Sequence, residues 1–99
     1  MQMQSERISE DIKSLAYNVV KVMIERTKSD VKVPMKFVDI YIIACRKPLA
    51  SNTKYDESNI ETRQIVRDNL LRNGHICVDP KDADSIYITQ KAIDEYADY

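Results

Sequence analysis

The segment between Ser58 and Gly74 constrains the fold most, because both ends of a helix are marked in it. Ser58-Asn59-Ile60-Glu61 matches a capping box, in which the serine hydroxyl and the glutamate carboxylate accept hydrogen bonds from backbone N–H groups of the first turn. Gly74 is the one glycine of the chain, and glycine adopts the left-handed conformation that ends a helix without a Cβ penalty. We therefore predict a helix over residues 59–73.

A longer helix is predicted over residues 5–28. Ser5 is suited to cap it, and residues 1–4 are expected to be loose. Beside the main apolar stripe, Tyr17, Val20 and Ile24 form a second strip, which makes the apolar face wider than a small domain needs. We expect this strip to join two copies of the chain in a homodimer. The main stripe recurs at helical spacing and consists of Ile8, Ile12, Leu15, Val19, Val22 and Met23.

The next segment is predicted to contain a short strand and a helix. Residues 31–33 suit a very short strand, and Pro34 suits the first turn of a helix. Residues 35–46 are apolar on nearly every side and rich in β-branched residues, so periodicity alone does not separate helix from strand. Residues 47–55 lack periodicity and are expected to form an exposed connection. We favour a helix over 35–46 because the order of elements requires one and because four side chains fit one face: Phe37, Ile40, Tyr41 and Ala44.

The C-terminal part of the chain is predicted to form a β-hairpin followed by a short helix. Residues 75–79 are partly β-branched, residues 80–84 are turn-like, and residues 85–88 alternate polar and apolar side chains. Thr89 is suited to cap a closing helix over residues 90–96.

Length and composition indicate one globular domain over residues 1–99. Hydrophobic residues make up 43% of the chain and charged residues 31%, which is too apolar for a disordered protein. The apolar runs fall short of the roughly 20 residues that a membrane helix needs, and the N-terminal residues lack the apolar region of a secretion signal. We expect a cytoplasmic protein that does not associate with membranes.

Residues that carry chemistry are sparse in this sequence. Cys45 and Cys77 lie far apart and lack zinc-site spacing, so we expect no metal. We favour two small buried thiols and leave a disulfide open. The chain has one histidine, no glycine-rich phosphate loop and no activated serine or cysteine motif. We therefore expect neither an enzyme nor a cofactor, and no small-molecule substrate.

The order of predicted elements resembles the winged helix-turn-helix family. The resemblance is carried by residues 65–76, IVRDNLLRNGHI, and residues 86–92, IYITQKA, which look like a recognition helix, a wing and the start of a closing helix. It covers residues 35–97 and implies a mainly α fold with a small β-hairpin, of the α+β class. It further implies a transcriptional regulator that binds double-stranded DNA with the helix over residues 59–73.

One face of that helix is expected to read bases. Its candidate readers are Arg63, Gln64 and Arg67, because arginine forms bidentate hydrogen bonds with guanine and glutamine does so with adenine in the major groove. Ile60 and Leu71 share this face and suit a thymine methyl group or another protein. The opposite side is predicted to face the core and carries Thr62, Ile65, Val66, Asn69 and Leu70.

Five more residues are candidates for contacts with DNA phosphates: Arg46, Lys47, Lys54, Ser58 and Lys81. The first three flank the connection between two helices, Ser58 lies at a helix N-terminus, and Lys81 lies in the wing. Contacts of this kind orient a complex without specifying its sequence.

Docking of a protein partner is the alternative function. The net charge is -1, whereas nucleic-acid-binding domains usually carry an excess of lysine and arginine. The wing also carries Asp79, Asp82 and Asp84, whose carboxylates would repel a phosphate backbone. The dependence of DNA affinity on salt separates the two functions.

Overall fold

The helices and strands follow the predicted order. The computed structural model describes residues 2–48 and 56–96, with side chains from Glu10 onward. This part of the chain contains four helices and a three-stranded antiparallel sheet in the order β1-β3-β2, which is an α+β fold, as expected. The elements are α1 (Gln2–Thr27), β1 (Met35–Lys36), α2 (Phe37–Arg46), α3 (Ile60–Arg72), β2 (Ile76–Asp79), β3 (Asp82–Ile88) and α4 (Gln90–Tyr96).

Helix α1 begins earlier than predicted. It starts at Gln2, so Ser5 lies inside the helix instead of capping it, and residues 2–4 are helical where a loose segment was expected. Glutamine, methionine and glutamate favour the helix, and the first proline of the chain is Pro34. Helix α1 forms one side of the core, where it packs against α2, α3, α4 and β3.

The short strand lies after Pro34 and not before it. β1 pairs Met35 with Ile86 and Lys36 with Ser85, whereas residues 31–33 belong to no strand. Proline has no N–H to donate to a sheet, so it fits the start of an edge strand. Because Met35 and Lys36 extend β3, α2 begins at Phe37, two residues later than expected.

Helix α2 confirms the predicted helical interpretation of its apolar segment. The four side chains expected on one face are all buried: Phe37, Ile40, Tyr41 and Ala44. Cys45 in the same helix is also buried, as expected. Cys77 differs from that expectation because alternation along β2 buries Ile76 and exposes its neighbour.

Helix α3 is capped by a different residue from the one predicted. The Asn59 side chain accepts a hydrogen bond of 3.1 Å from the Thr62 N–H, while the Ser58 hydroxyl donates to Asp56. Both residue types cap helices well, so the neighbouring carboxylate decides which one does so here. At the other end Gly74 has φ +71°, as predicted.

The end of α3 forms a Schellman motif. The N–H of Gly74 donates to the Leu71 carbonyl at 3.1 Å, and that of His75 donates to the Leu70 carbonyl at 2.9 Å. These two bonds satisfy carbonyls that the helix itself leaves without partners, and they require the positive φ that glycine supplies.

Helix α4 has the predicted bounds and closes against the end of α3. The Thr89 hydroxyl accepts from the Ala92 N–H at 3.2 Å and donates to the Gly74 carbonyl at 2.6 Å. Lys91 donates to the Asn73 carbonyl at 2.6 Å. The α3 end, the sheet and α4 are therefore held as one unit behind the exposed side of α3.

Within the described residues, no helix is both long and apolar enough to cross a membrane.

Candidate nucleic-acid interface

Helix α3 faces the core along a narrower strip than predicted. Val66 and Leu70 are fully buried, and Thr62 and Asn69 are half-buried. Ile65 was expected to face the core but is 47% exposed. The reason is geometric: the buried strip is centred between Val66 and Leu70, and Ile65 lies about 100° around the helix from its nearest buried neighbour.

The three candidate base readers lie together beside the wing, which comprises β2, β3 and the turn between them. A groove of about 190 Å³ separates α3 from the start of β3. Arg63 and Arg67 are half-buried on its wall, whereas Gln64 is exposed. The Arg67 guanidinium donates a hydrogen bond of 2.9 Å to the Ala83 carbonyl. The groove is lined by Phe37, Val38, Arg63, Gln64, Arg67, Ala83 and Asp84.

The outermost side of α3 carries apolar and acidic groups in addition to Gln64. Ile60 is 66% exposed, and Glu61 and Asp68 are exposed beside it. Gln64 donates from its amide nitrogen to Asp68 at 3.0 Å. Leu71 packs against the core, so the predicted reading face loses this residue and keeps Ile60.

The candidate phosphate contacts near the start of α3 have partners within the protein. Arg46 forms two hydrogen bonds of 2.9 Å with Glu57, which raises the pKa of Arg46 and lowers that of Glu57. The Ser58 hydroxyl and N–H both donate to Asp56, which lowers the pKa of that carboxyl. A phosphate here would have to displace these carboxylates.

The other three phosphate candidates differ in position. Lys47 is half-buried at the end of α2, and Lys81 is exposed in the turn between the two wing strands. Lys54 lies outside the described residues. Lys81 is thus an exposed candidate on the wing among the four that lie in the described residues.

Two wing carboxylates stabilise the wing itself, a role that was not predicted from the sequence. Asp79 accepts from the Lys81 N–H at 2.8 Å and from the Tyr87 hydroxyl at 3.2 Å. Asp82 accepts from the Asp84 N–H at 3.0 Å and from the Ser85 hydroxyl at 2.9 Å. Each aspartate lies two residues before the residue whose N–H it binds. This spacing is the sequence pattern of an Asx turn.

The role of Lys36 was also not predicted from the sequence. Its ammonium group contacts the Asp82 carboxylate, and this contact is the main reason that the pKa of Asp82 falls to about 2. The pair joins β1 to the first residue of β3. The pair could not be predicted because Lys36 and Asp82 are far apart along the chain.

The predicted dimer strip on α1 is reduced to two residues. Val20 is 0% exposed and lies in the core of its own chain, so it is not available to a second copy. Ile24 is half-buried against the same core. Tyr17 is 37% exposed and packs its ring 5.5 Å from that of Tyr96. The wide apolar face of α1 is accounted for in part within the chain itself, because α4 packs against α1.

Comparisons with protein-family models, with curated proteins and with solved structures found no match for this chain.

Among the residues with described side chains, no group of three or more histidine, cysteine, aspartate or glutamate residues is arranged to hold a metal ion.

Proposed function

We propose that this protein is a winged-helix DNA-binding regulator. The element order α1-β1-α2-α3-β2-β3-α4 and the strand order β1-β3-β2 support this fold, in which the hairpin of β2 and β3 is the wing. The observation that carries the function is the location of Arg63, Gln64 and Arg67 together along the groove between α3 and the wing.

Helix α3 is the element that would enter the major groove. Its 13 residues span about 20 Å, and the groove of B-DNA accommodates one helix. The N-terminal part of such a helix faces the base edges, and Gln64 and the two arginines lie in its first two turns. A guanidinium has five N–H donors, so the bond from Arg67 to Ala83 leaves donors for the O6 and N7 acceptors of guanine.

The wing would contact the backbone only through its turn. Asp79 and Asp82 accept hydrogen bonds inside the hairpin, and such bonds do not remove the repulsion between a carboxylate and a phosphate. The carboxylates would therefore keep the wing outside the minor groove. Lys81, which is exposed in the turn, would give the wing one phosphate contact.

Selection from a pool of random DNA duplexes tests this proposal. The purified protein should enrich one motif, and its affinity should fall by at least about tenfold between roughly 50 and 200 mM salt, because bound phosphates release counterions. Arg63→Ala and Arg67→Ala should each weaken binding of the selected duplex by about tenfold or more. Arg26→Ala, an exposed arginine in the last turn of α1, is the charge-matched control and should leave the affinity unchanged.

Docking of a protein is the second candidate function. It is favoured by the exposed Ile60 and Ile65 on α3, beside the carboxylates of Glu61 and Asp68. Such a surface would suit a partner that combines apolar and basic side chains. If the wild-type protein retains no duplex even at low salt, the DNA-binding proposal is wrong and this function takes its place.

A further inference from the structure

Two polar residues at the centre of the exposed side of α3 are hydrogen-bonded to each other. Gln64 and Asp68 lie one turn apart and are both exposed, and the Gln64 amide nitrogen Nε2 lies 3.0 Å from the Asp68 oxygen Oδ1. An ionised carboxylate accepts hydrogen bonds and donates none. The amide must therefore turn its NH2 group, and not its carbonyl oxygen, toward Asp68.

This bond limits what the Gln64 amide can offer to a base. A glutamine amide has two N–H donors and one carbonyl acceptor. With one N–H donated to Asp68, one donor and the acceptor Oε1 remain. Adenine presents the complementary pair in the major groove, an N7 acceptor and an N6 donor, whereas guanine presents two acceptors, N7 and O6.

We propose that Asp68 orients Gln64 so that it reads adenine and rejects guanine. This inference rests on the proposed DNA-binding function and specifies one base of its target. Opposite guanine, Oε1 would face O6 with no proton between them, and the N–H that could have relieved this contact is held by Asp68. Exclusion of water from the docked surface strengthens the Gln64–Asp68 bond and makes the restriction stricter.

The proposal also accounts for an acidic residue on a surface that would approach DNA. Asp68 would repel phosphates if it lay at the edge of the helix. It lies instead on the outermost side of α3, hydrogen-bonded to the Gln64 amide, and would face the bases in the proposed complex. Asp68 is thus a positioning residue that acts through Gln64.

Base-by-base substitution of the selected duplex tests the inference. In each position of the motif, adenine is replaced by guanine and by 7-deazaadenine, which lacks the N7 acceptor. At one position the wild type should prefer adenine over both replacements by roughly 10-fold to 100-fold. Gln64→Ala should lose this preference at the same position. Asp68→Ala frees the second N–H, so its preference for adenine over guanine should fall by about tenfold.

The chain supplies a matched control for the Asp68 substitution. Gln90 and Asp94 on α4 form an equivalent exposed bond of 2.9 Å, so Asp94→Ala removes the same kind of pair away from α3 and should leave the preference intact. Asp68→Asn can donate to the Gln64 carbonyl as well as accept from its NH2 group, so it no longer fixes the amide and should lose most of the preference. Asp68→Glu keeps a carboxylate that only accepts hydrogen bonds and should retain more of the preference than Asp68→Asn.

The possible failures are distinguishable. If the wild type binds a motif but Asp68→Ala discriminates adenine from guanine as strongly as before, the role of Asp68 is wrong while the DNA-binding function stands. The same holds if Gln64→Ala leaves every adenine preference unchanged. If no duplex is retained at low salt, both the inference and the proposed function are overturned.

Discussion

The Arg67 guanidinium donates a hydrogen bond of 2.9 Å to the carbonyl oxygen of Ala83 and so joins the middle of α3 to the start of β3. Arg67 therefore has two roles in the proposed complex, since it fixes the wing and presents donors to a base. A substitution at this position must be judged against one that removes an arginine from α3 without touching the wing.

Arg67→Ala should loosen the start of β3. Loss of this exposed bond should lower the free energy of unfolding by about 0.5 kcal/mol, and amide hydrogen exchange at residues 82–84 should become faster. Arg72→Ala, at an exposed position on the same helix, should leave exchange in the wing unchanged. Equal exchange rates in wild type and Arg67→Ala would show that the bond does not hold the wing.

Gly74→Ala should destabilise the protein through its backbone. The residue has φ +71°, and a Cβ built there would meet the Lys91 side chain at an ordinary 3.6 Å, so conformation and not collision determines the cost. We expect the free energy of unfolding in urea to fall by about 1 kcal/mol. Lys28→Gly is the converse control, because Lys28 has φ 54° and should become less strained.

The ion pair of Lys36 and Asp82 should make part of the stability depend on pH in the acid range. The pKa of Asp82 is about 2, below its ordinary value of 3.8, so folding favours the ionised carboxylate. This contribution is complete above the ordinary value and is lost as the pH falls toward 2. Asp82→Asn should therefore be less stable than wild type near pH 6, and the difference should shrink as the pH falls through about 2.

The same pair can be checked by direct titration. NMR titration of the Asp82 carboxyl in Lys36→Met should give a higher pKa than in the wild type, because Lys36 is the largest cause of the depression. An unchanged pKa would assign the effect to the Ser85 and Asp84 hydrogen bonds alone.

Substitutions on α1 should separate a core residue from a residue of the predicted dimer interface. Val20→Ala removes a fully buried side chain and should lower the free energy of unfolding by about 2 kcal/mol without changing the oligomeric state. The homodimer stays a prediction from the sequence. If it forms through α1, Tyr17→Ser should shift sedimentation from dimer to monomer with little loss of stability.

Features set by neighbouring residues could be predicted from the sequence. Gly74 ends α3 and Thr89 begins α4 through hydrogen bonds that span a few residues, and both roles were predicted. The choice between Ser58 and Asn59 as cap failed because both are competent and the acceptor on Asp56 decides between them. Local sequence patterns predict that a helix begins in a segment, but they predict its first residue less well.

Features set by packing between distant segments could not be predicted. The position of β1 depends on the pairing of Met35 with Ile86. The burial of Val20 and the exposure of Ile65 depend on where the other helices lie, which periodicity along one helix does not specify. The clustering of Arg63, Gln64 and Arg67 followed from helical spacing, but the groove beside them required the position of β3.

In several turns of this chain an aspartate side chain stabilises the turn. Four described turns begin with an aspartate whose carboxylate accepts the N–H two residues later, at Asp30, Asp56, Asp79 and Asp82. Asparagine offers the same acceptor without charge. Asparagine at all four positions would keep the turns and raise the formal net charge by four units. The slightly acidic composition therefore results in part from the way the turns are built. The net charge is for this reason a poor guide to the ligand.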